Sequence, residues 1–180
     1  ETVRRLVDQG AVDHIDMNFG CPVPKVTKHG GGAALPVRHR LLRRIVHAAV
    51  AGAGDIPVTI KFRIGVDDDV MTFIETGRIA EDEGCAAIAL HARTAEQLYS
   101  GHARWHAIGE LKQAVTSIPV LGNGDIWEPA DALAMMRETD CDGVVIGRGC
   151  LGRPWLFSAL AAAFDGQPLP ELPSFAVVSQ

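Results

Sequence analysis

The chain has 180 residues, of which 47% are hydrophobic and 22% charged, and its formal net charge is −5. This length suits one domain with a sizeable core, and the composition is that of an ordinary globular protein. Its apolar runs fall far short of the roughly 18 residues that span a bilayer, and no secretory leader opens the chain, so we expect a cytoplasmic protein without a membrane partner.

Strand and helix patterns alternate along the sequence. The first dozen residues resemble the end of a helix, with Gly10 as its C-cap. Apolar or alternating segments predict strands over 13–18, 57–64, 86–91, 119–123 and 142–147. Amphipathic segments predict helices over 37–51, 70–83, 104–115, 128–138 and 154–164. Residues 166–180 are Pro-rich, and we expect a tail or the start of a linker there.

Five such βα units imply an α/β fold with a parallel sheet, either doubly wound or closed into a (β/α)8 barrel. Polar residues lie at the carboxyl end of every strand, which favours the barrel because a barrel gathers all its strand ends around one site. These residues are Asn18, Cys21, Lys61, Arg63, His91, Arg93, Asn123, Asp125, Gly147 and Arg148. A full barrel needs about 250 residues. We therefore predict a partial TIM barrel over residues 1–165, with its first strands missing.

Cys21 follows the first predicted strand and lies between Gly20 and Pro22. Glycine permits a sharp bend there, and proline cannot extend the sheet. The thiol is either an acid or nucleophile at the barrel mouth or a small buried residue, and this segment alone favours neither. The polar residues at the ends of the other strands favour a functional role for Cys21 over that of a buried structural residue. The four cysteines show no metal-ligand spacing, so we predict no metal site.

Two glycine turns, at 122–125 and 147–149, follow the last two predicted strands, and the second contains Arg148. Such turns let backbone N–H groups approach a phosphate, although a simple tight βα turn would look the same. Lys61 lies within an apolar strand, and His91 ends another. Together these residues suit a phosphorylated planar cofactor, either FMN or pyridoxal phosphate with Lys61 as its Schiff-base amine.

In order and spacing these motifs resemble the tRNA-dihydrouridine synthases, and most closely the bacterial B-type branch. The resemblance runs from about residue 12 to residue 160. The matching segments are 18–22, Lys25, 30–35, 61–63, 91–94, 122–126, 147–149 and 152–155.

The resemblance implies an FMN-containing (β/α)8 barrel followed by a small helical domain that helps to hold tRNA. It implies that NADPH reduces FMN, and that reduced FMN delivers hydride to C6 of a uridine. Cys21 would then be the general acid that protonates C5. A thiol with the ordinary pKa of about 8.5 is protonated at neutral pH, as a proton donor must be.

The same resemblance assigns the other site residues. Asn18 would contact the uracil edge, and Lys61 and His91 would contact the flavin. The ribityl chain and phosphate would be bound by Asn123, Gly124, Asp125, Gly147 and Arg148. Positions near the tRNA substrate are matched by Arg63 and Arg93, and contacts with tRNA phosphates are expected from Lys25, Lys28 and the arginine run at 38–44.

Two family features are absent from the sequence: an Ala-Pro-Met-like loop with a glutamine in the first strands, and a helical domain after Phe164. We therefore expect this chain alone to bind FMN poorly and to be inactive, and the full-length protein to be a monomer. Two alternatives stay open at this point. One is an FMN barrel oxidoreductase of the dihydroorotate dehydrogenase type, and the other is an inactive RNA-binding fragment.

Overall fold

The computed structural model describes residues 1–171 and contains five parallel strands in one sheet. The strands are β1 (Ile15–Phe19), β2 (Val58–Arg63), β3 (Ala87–His91), β4 (Val120–Asn123) and β5 (Gly143–Val145). Their order in the sheet follows their order in the chain, and within the described residues β1 and β5 form its two open edges. This confirms the predicted α/β class and is the arrangement of a partial TIM barrel.

Helices connect and cover the strands. They are α1 (Thr2–Asp8), α2 (Pro24–Thr27), α3 (His39–Ala53), α4 (Phe73–Asp82), α5 (His106–Ala114), α6 (Pro129–Thr139) and α7 (Leu156–Phe164). Two short 3-10 helices, Gly32–Val37 and Arg148–Cys150, precede α3 and α7. Across residues 1–171, each helix is too short or too polar to cross a membrane.

The hydrophobic core lies between the sheet and its helices. Ile60 and Phe62 of β2 and Leu90 of β3 are fully buried on that side. They belong to one cluster with helix residues that include Leu42 of α3 and Ile79 of α4. Because side chains alternate along a strand, the intervening positions face the inside of the barrel. The apolar positions thus hold the fold together, and the opposite face carries the polar residues Lys61, Arg63 and His91.

Several boundaries differ from those predicted. Helix α4 begins at Phe73 rather than at residue 70. The chain first makes a turn in which the Asp67 carboxylate accepts hydrogen bonds from the backbone N–H groups of Asp69 and Val70. Helix α2 has no counterpart among the predicted elements. Residues 166–171 of the predicted tail contain no helix or strand, and residues 172–180 lie outside the described part of the chain.

Candidate active site

A cavity of about 390 Å³ lies at the carboxyl ends of the strands. Its size falls within the range of roughly 300–1,000 Å³ that is typical of small-molecule sites. All the predicted site residues except Lys25 and Lys28 line it: Asn18, Cys21, Lys61, Arg63, His91, Arg93, Asn123, Gly124, Asp125, Gly147 and Arg148. The parallel register explains this convergence, because Asn18 lies opposite Lys61 and His91 lies opposite both Arg63 and Asn123.

Cys21 sits on a turn that is hydrogen-bonded on both sides. The side-chain Oδ1 of Asn18 accepts a 2.8 Å hydrogen bond from the N–H of Gly20. The carbonyl of Gly20 accepts one of 2.9 Å from Arg63 Nε, and the carbonyl of Cys21 accepts one of 3.0 Å from the N–H of Ala33. The thiol is therefore held at the cavity wall and stays partly exposed.

Gly32 allows the following loop to close over this turn. Its φ of +52° lies in the left-handed region, and a Cβ at this position would press on the carbonyl oxygen of Cys21. Only glycine meets both conditions without strain. The glycine stretch after the cysteine therefore has a structural reason, which is to fix the cysteine turn.

Burial and neighbouring charge shift the pKa values of two cavity residues. Desolvation, followed by the charge of Arg63, lowers the pKa of Lys61 to about 8. Desolvation, with the charges of Arg63 and Lys61, lowers the pKa of His91 to about 3. At neutral pH His91 is thus a neutral hydrogen-bonding group, and Lys61 is a cation that gives up its proton more readily than usual.

Arg93 and Asp125 form an ion pair beneath the cavity. The Arg93 side chain is only 2% exposed, and its Nη2 donates to both carboxylate oxygens of Asp125 at 2.7 and 2.8 Å. The N–H of Ala103 donates to the same carboxylate. Burial raises the pKa of Asp125, but the hydrogen bonds from Ala103 and Arg93 outweigh it and hold the pKa below its usual value.

Two aromatic residues at the cavity mouth were not predicted from the sequence. Tyr99 and Trp127 line the cavity and both contact Arg148, with ring centroids 4.3 and 5.3 Å from its guanidinium carbon. Trp127 is separated by one residue from the glycine turn at 122–125, and Tyr99 lies on the long loop between β3 and α5. The sequence feature that could have indicated them is an aromatic residue on a loop that follows the carboxyl end of a strand.

The two predicted tRNA-contacting lysines lie outside the cavity. Lys25 is on α2 and Lys28 follows it, and both are exposed near the cysteine turn. The arginine run is not uniformly available, because Arg43 forms ion pairs with Asp82 and Glu83 of the α4 end at 2.9 and 2.7 Å. The basic surface nearest the cavity is therefore the segment after Cys21.

Comparison with known proteins identifies the family. The family model described as "Dihydrouridine synthase (Dus)" matches residues 1–180. The chain belongs to the dihydrouridine synthase family. A "Probable tRNA-dihydrouridine synthase" of Mycobacterium tuberculosis is 64% identical over 178 residues, which cover 98% of this chain and 46% of the relative.

More distant family members match in the same way. A "Probable tRNA-dihydrouridine synthase" of Treponema pallidum is 42% identical over 87% of this chain and 48% of its own length. A "tRNA-dihydrouridine synthase B" of Xanthomonas axonopodis pv. citri is 44% identical over 99% of this chain and 53% of its own length. The chain thus spans about half the length of the curated dihydrouridine synthase relatives it matches.

The cavity of this family member suits an anionic group such as a phosphate. Lys61, Arg63, Arg93 and Arg148 line it against the single carboxylate of Asp125, so its electrostatic balance favours an anion. A Cβ on Gly147 would meet only the Asn123 side chain, at 4.0 Å, and the N–H groups of Arg148 and Gly149 donate no hydrogen bond within residues 1–171. Gly147 and Arg148 could therefore hold phosphate oxygens.

The other glycines of these turns have a packing role. Gly124 has a φ of +130°, and a Cβ there would come within 2.6 Å of the Ala103 side chain. Its carbonyl accepts a 2.9 Å hydrogen bond from the indole of Trp105.

Within residues 1–171, no group of three or more His, Cys, Asp and Glu side chains could hold a metal ion.

Proposed function

We propose that the full-length protein reduces specific uridines of tRNA to 5,6-dihydrouridine. The observation that carries this proposal is a cysteine fixed at the wall of a cationic cavity in a member of the dihydrouridine synthase family. The relatives named as tRNA-dihydrouridine synthases support a tRNA substrate. The family match also favours this function over that of a dihydroorotate dehydrogenase-type enzyme, whose substrate is a small molecule.

FMN is the proposed redox cofactor, and NADPH is the proposed reductant. When bound, FMN supplies the hydride that C6 of the uracil ring accepts. Lys61 and His91 would contact the flavin ring, where a lysine cation could balance negative charge and a neutral imidazole could hydrogen-bond. Gly147 and Arg148 would hold the phosphate, and Asn123, Gly124 and Asp125 would bind the ribityl chain. Of these, Asn123 is itself held by a 2.6 Å hydrogen bond from Nδ2 to the carbonyl of Val145.

Cys21 donates the proton that C5 of the uracil ring needs once C6 has accepted hydride. The Sγ–H bond breaks, a C5–H bond forms, and solvent returns a proton to the sulfur. The double bond thereby gains one hydride and one proton. Asn18 directs its side-chain Oδ1 to the N–H of Gly20, so its amide NH2 group is the part that can bind the uracil edge.

The tRNA surface is proposed to lie over the segment that follows the cysteine. Lys25 and Lys28 are exposed there and can neutralise phosphates around a uridine that has been turned out of its stack. Arg63 and Arg93 stand nearer the substrate region of the cavity, but their guanidinium groups are engaged with protein carbonyls. We further propose a monomeric protein that acts in the cytoplasm.

The test uses the full-length protein and a tRNA transcript that lacks modifications. We expect the purified protein to show flavin absorbance and, with NADPH, to add two hydrogen atoms to a uridine, which mass spectrometry detects. Cys21→Ala should retain the flavin and lose product formation by several orders of magnitude. Cys85→Ala is the matched control, because Cys85 lies in the helix-side core. Full activity of Cys21→Ala would overturn the assigned proton donor, and absence of flavin would overturn the function.

A further inference from the structure

Tyr99 occupies an unusual place for an aromatic side chain. It lies on the loop between β3 and α5, is 55% exposed and lines the cavity. Its ring is 6.2 Å from that of His91 and 5.7 Å from the guanidinium carbon of Arg63. No hydrogen bond involves its hydroxyl within residues 1–171, so the ring itself is the part that makes contacts there.

Two buried arginines hold the Tyr99 loop in place. Arg63 Nη1 donates to the carbonyls of Thr94 and Leu98 at 2.8 and 2.9 Å. Arg93 donates to the carbonyls of Ser100 and Gly101, at 3.2 Å from Nε and 2.8 Å from Nη2. The loop backbone is thus fixed on both sides of Tyr99. Hydrogen bonds from charged donors are among the stronger ones in proteins, so this fixation is substantial.

The loop also holds a strained conformation next to Tyr99. Leu98 has a φ of +51°, in the left-handed region that a leucine rarely adopts. Its side chain is half exposed, so no burial of leucine offsets the strain. The carbonyl of Leu98 is one of the two that Arg63 binds. Surrounding contacts therefore impose this conformation, and its result is the placement of the Tyr99 ring.

The ring placed in this way covers one face of Arg148. The guanidinium carbon lies 4.3 Å from the Tyr99 centroid and 5.3 Å from that of Trp127, and Nη2 is 3.6 Å from the Asp125 carboxylate. A flexible, partly exposed arginine loses conformational freedom when it grips an anion. The rings of Tyr99 and Trp127 restrict the Arg148 side chain before an anion binds. They leave the edge of the guanidinium free to donate hydrogen bonds.

We propose that Tyr99 is a positioning residue of the phosphate site: its ring, fixed by Arg63 and Arg93 under its loop, orients Arg148 toward the phosphate of the cofactor. This inference rests on the proposed function, because it takes the ligand to be a flavin phosphate. It assigns Arg63 and Arg93 an indirect role, through the loop, in addition to lining the cavity.

The test compares two flavins in the full-length protein. FMN carries the phosphate and riboflavin lacks it, so the ratio of their affinities reports on Arg148. We expect Tyr99→Ala to weaken FMN binding about 2- to 30-fold, as expected for loss of a cation–π contact, and to leave riboflavin binding unchanged. Tyr99→Phe keeps the ring and should restore the FMN affinity. Quenching of flavin fluorescence measures both affinities without reference to activity.

A double variant separates positioning from direct contact. Once Arg148→Met has removed the guanidinium, Tyr99→Ala should weaken FMN binding no further. Equal loss of FMN and riboflavin affinity in Tyr99→Ala would overturn the inference, because the ring would then contact the flavin ring or stabilise the whole site. Unchanged FMN affinity would overturn it too. A wild-type protein that binds neither flavin would overturn the proposed function, and this inference with it.

Discussion

Replacement of Arg93 by methionine tests whether the ion pair beneath the cavity holds this part of the fold. Methionine fills much of the space of the arginine stem but offers no donors. Four hydrogen bonds are lost: those to the carbonyls of Ser100 and Gly101 and the two to the Asp125 carboxylate. The variant therefore leaves a largely buried carboxylate without its main partner.

The structure sets the size of the effect. Removal of one partner from a buried ion pair costs about 3–5 kcal/mol. The Asp125 side chain is 21% exposed, keeps its hydrogen bond from the N–H of Ala103 and lies 3.6 Å from Arg148. These contacts soften the loss, so we expect Arg93→Met to lower the free energy of unfolding by about 3 kcal/mol, the lower end of that range.

Urea unfolding of the full-length protein at pH 7, followed by circular dichroism, measures this free energy. The double variant Arg93→Met/Asp125→Asn removes the stranded charge, and we expect it to recover about 1–2 kcal/mol of the loss. Arg104→Met is the matched control, because Arg104 pairs with the exposed Asp68 and such a pair contributes about 1 kcal/mol or less. A loss in Arg93→Met no larger than in this control, or a double variant as unstable as the single one, would refute the reasoning.

Three further changes test the cysteine turn, the buried lysine and the basic surface of the full-length protein. Gly32→Ala should cost at least about 1–2 kcal/mol in urea unfolding and slow tRNA reduction with the flavin still bound, since alanine resists a positive φ and its Cβ would also press on the carbonyl oxygen of Cys21; normal turnover would contradict the role of the turn. Without flavin, the stability of the wild type relative to Lys61→Met should rise from pH 8 to about 10.5, because folded Lys61 releases its proton before the unfolded chain does; a stability difference between the two that stays constant over this pH range would refute the assignment. Lys28→Glu should weaken tRNA binding without loss of flavin absorbance, and should reduce by about one the slope of log affinity against log salt concentration. The distant exposed Arg137→Glu should leave tRNA binding unchanged; equal effects of the two substitutions would contradict a local contact.

The convergence of the site could be predicted from the sequence because parallel βα repeats place every strand end at the same edge. Asn18 and Lys61 are far apart in the chain, yet the register brings them opposite each other on neighbouring strands. Nothing more than the alternation of elements is needed for that conclusion. The same logic placed His91 and Asn123 on adjacent strands at the cavity.

The groups that each charged side chain binds could not be predicted in this way. Arg63 ends β2 and Arg93 follows β3, and the sequence places both near the substrate. In the folded chain their guanidinium groups bind the carbonyls of the loop that carries Tyr99, and Arg93 also binds Asp125. Those partners lie on loops whose paths depend on turns such as the one at Leu98. Sequence patterns identify charged residues at strand ends, but they do not show which charges the protein itself neutralises.

One face of the sheet packs in the hydrophobic core and the other lines the cavity, and this difference determines which substitutions the fold can tolerate. The fully buried residues Ile60, Phe62 and Leu90 point toward the helices, whereas Lys61, Arg63 and His91 point into the barrel. Lys61 and His91 are not part of the hydrophobic core cluster, so their substitution removes no side chain from it. New substrates or cofactors could be accommodated by exchanging barrel-facing side chains one at a time, in evolution or in the laboratory, while the helix-facing residues keep the scaffold folded.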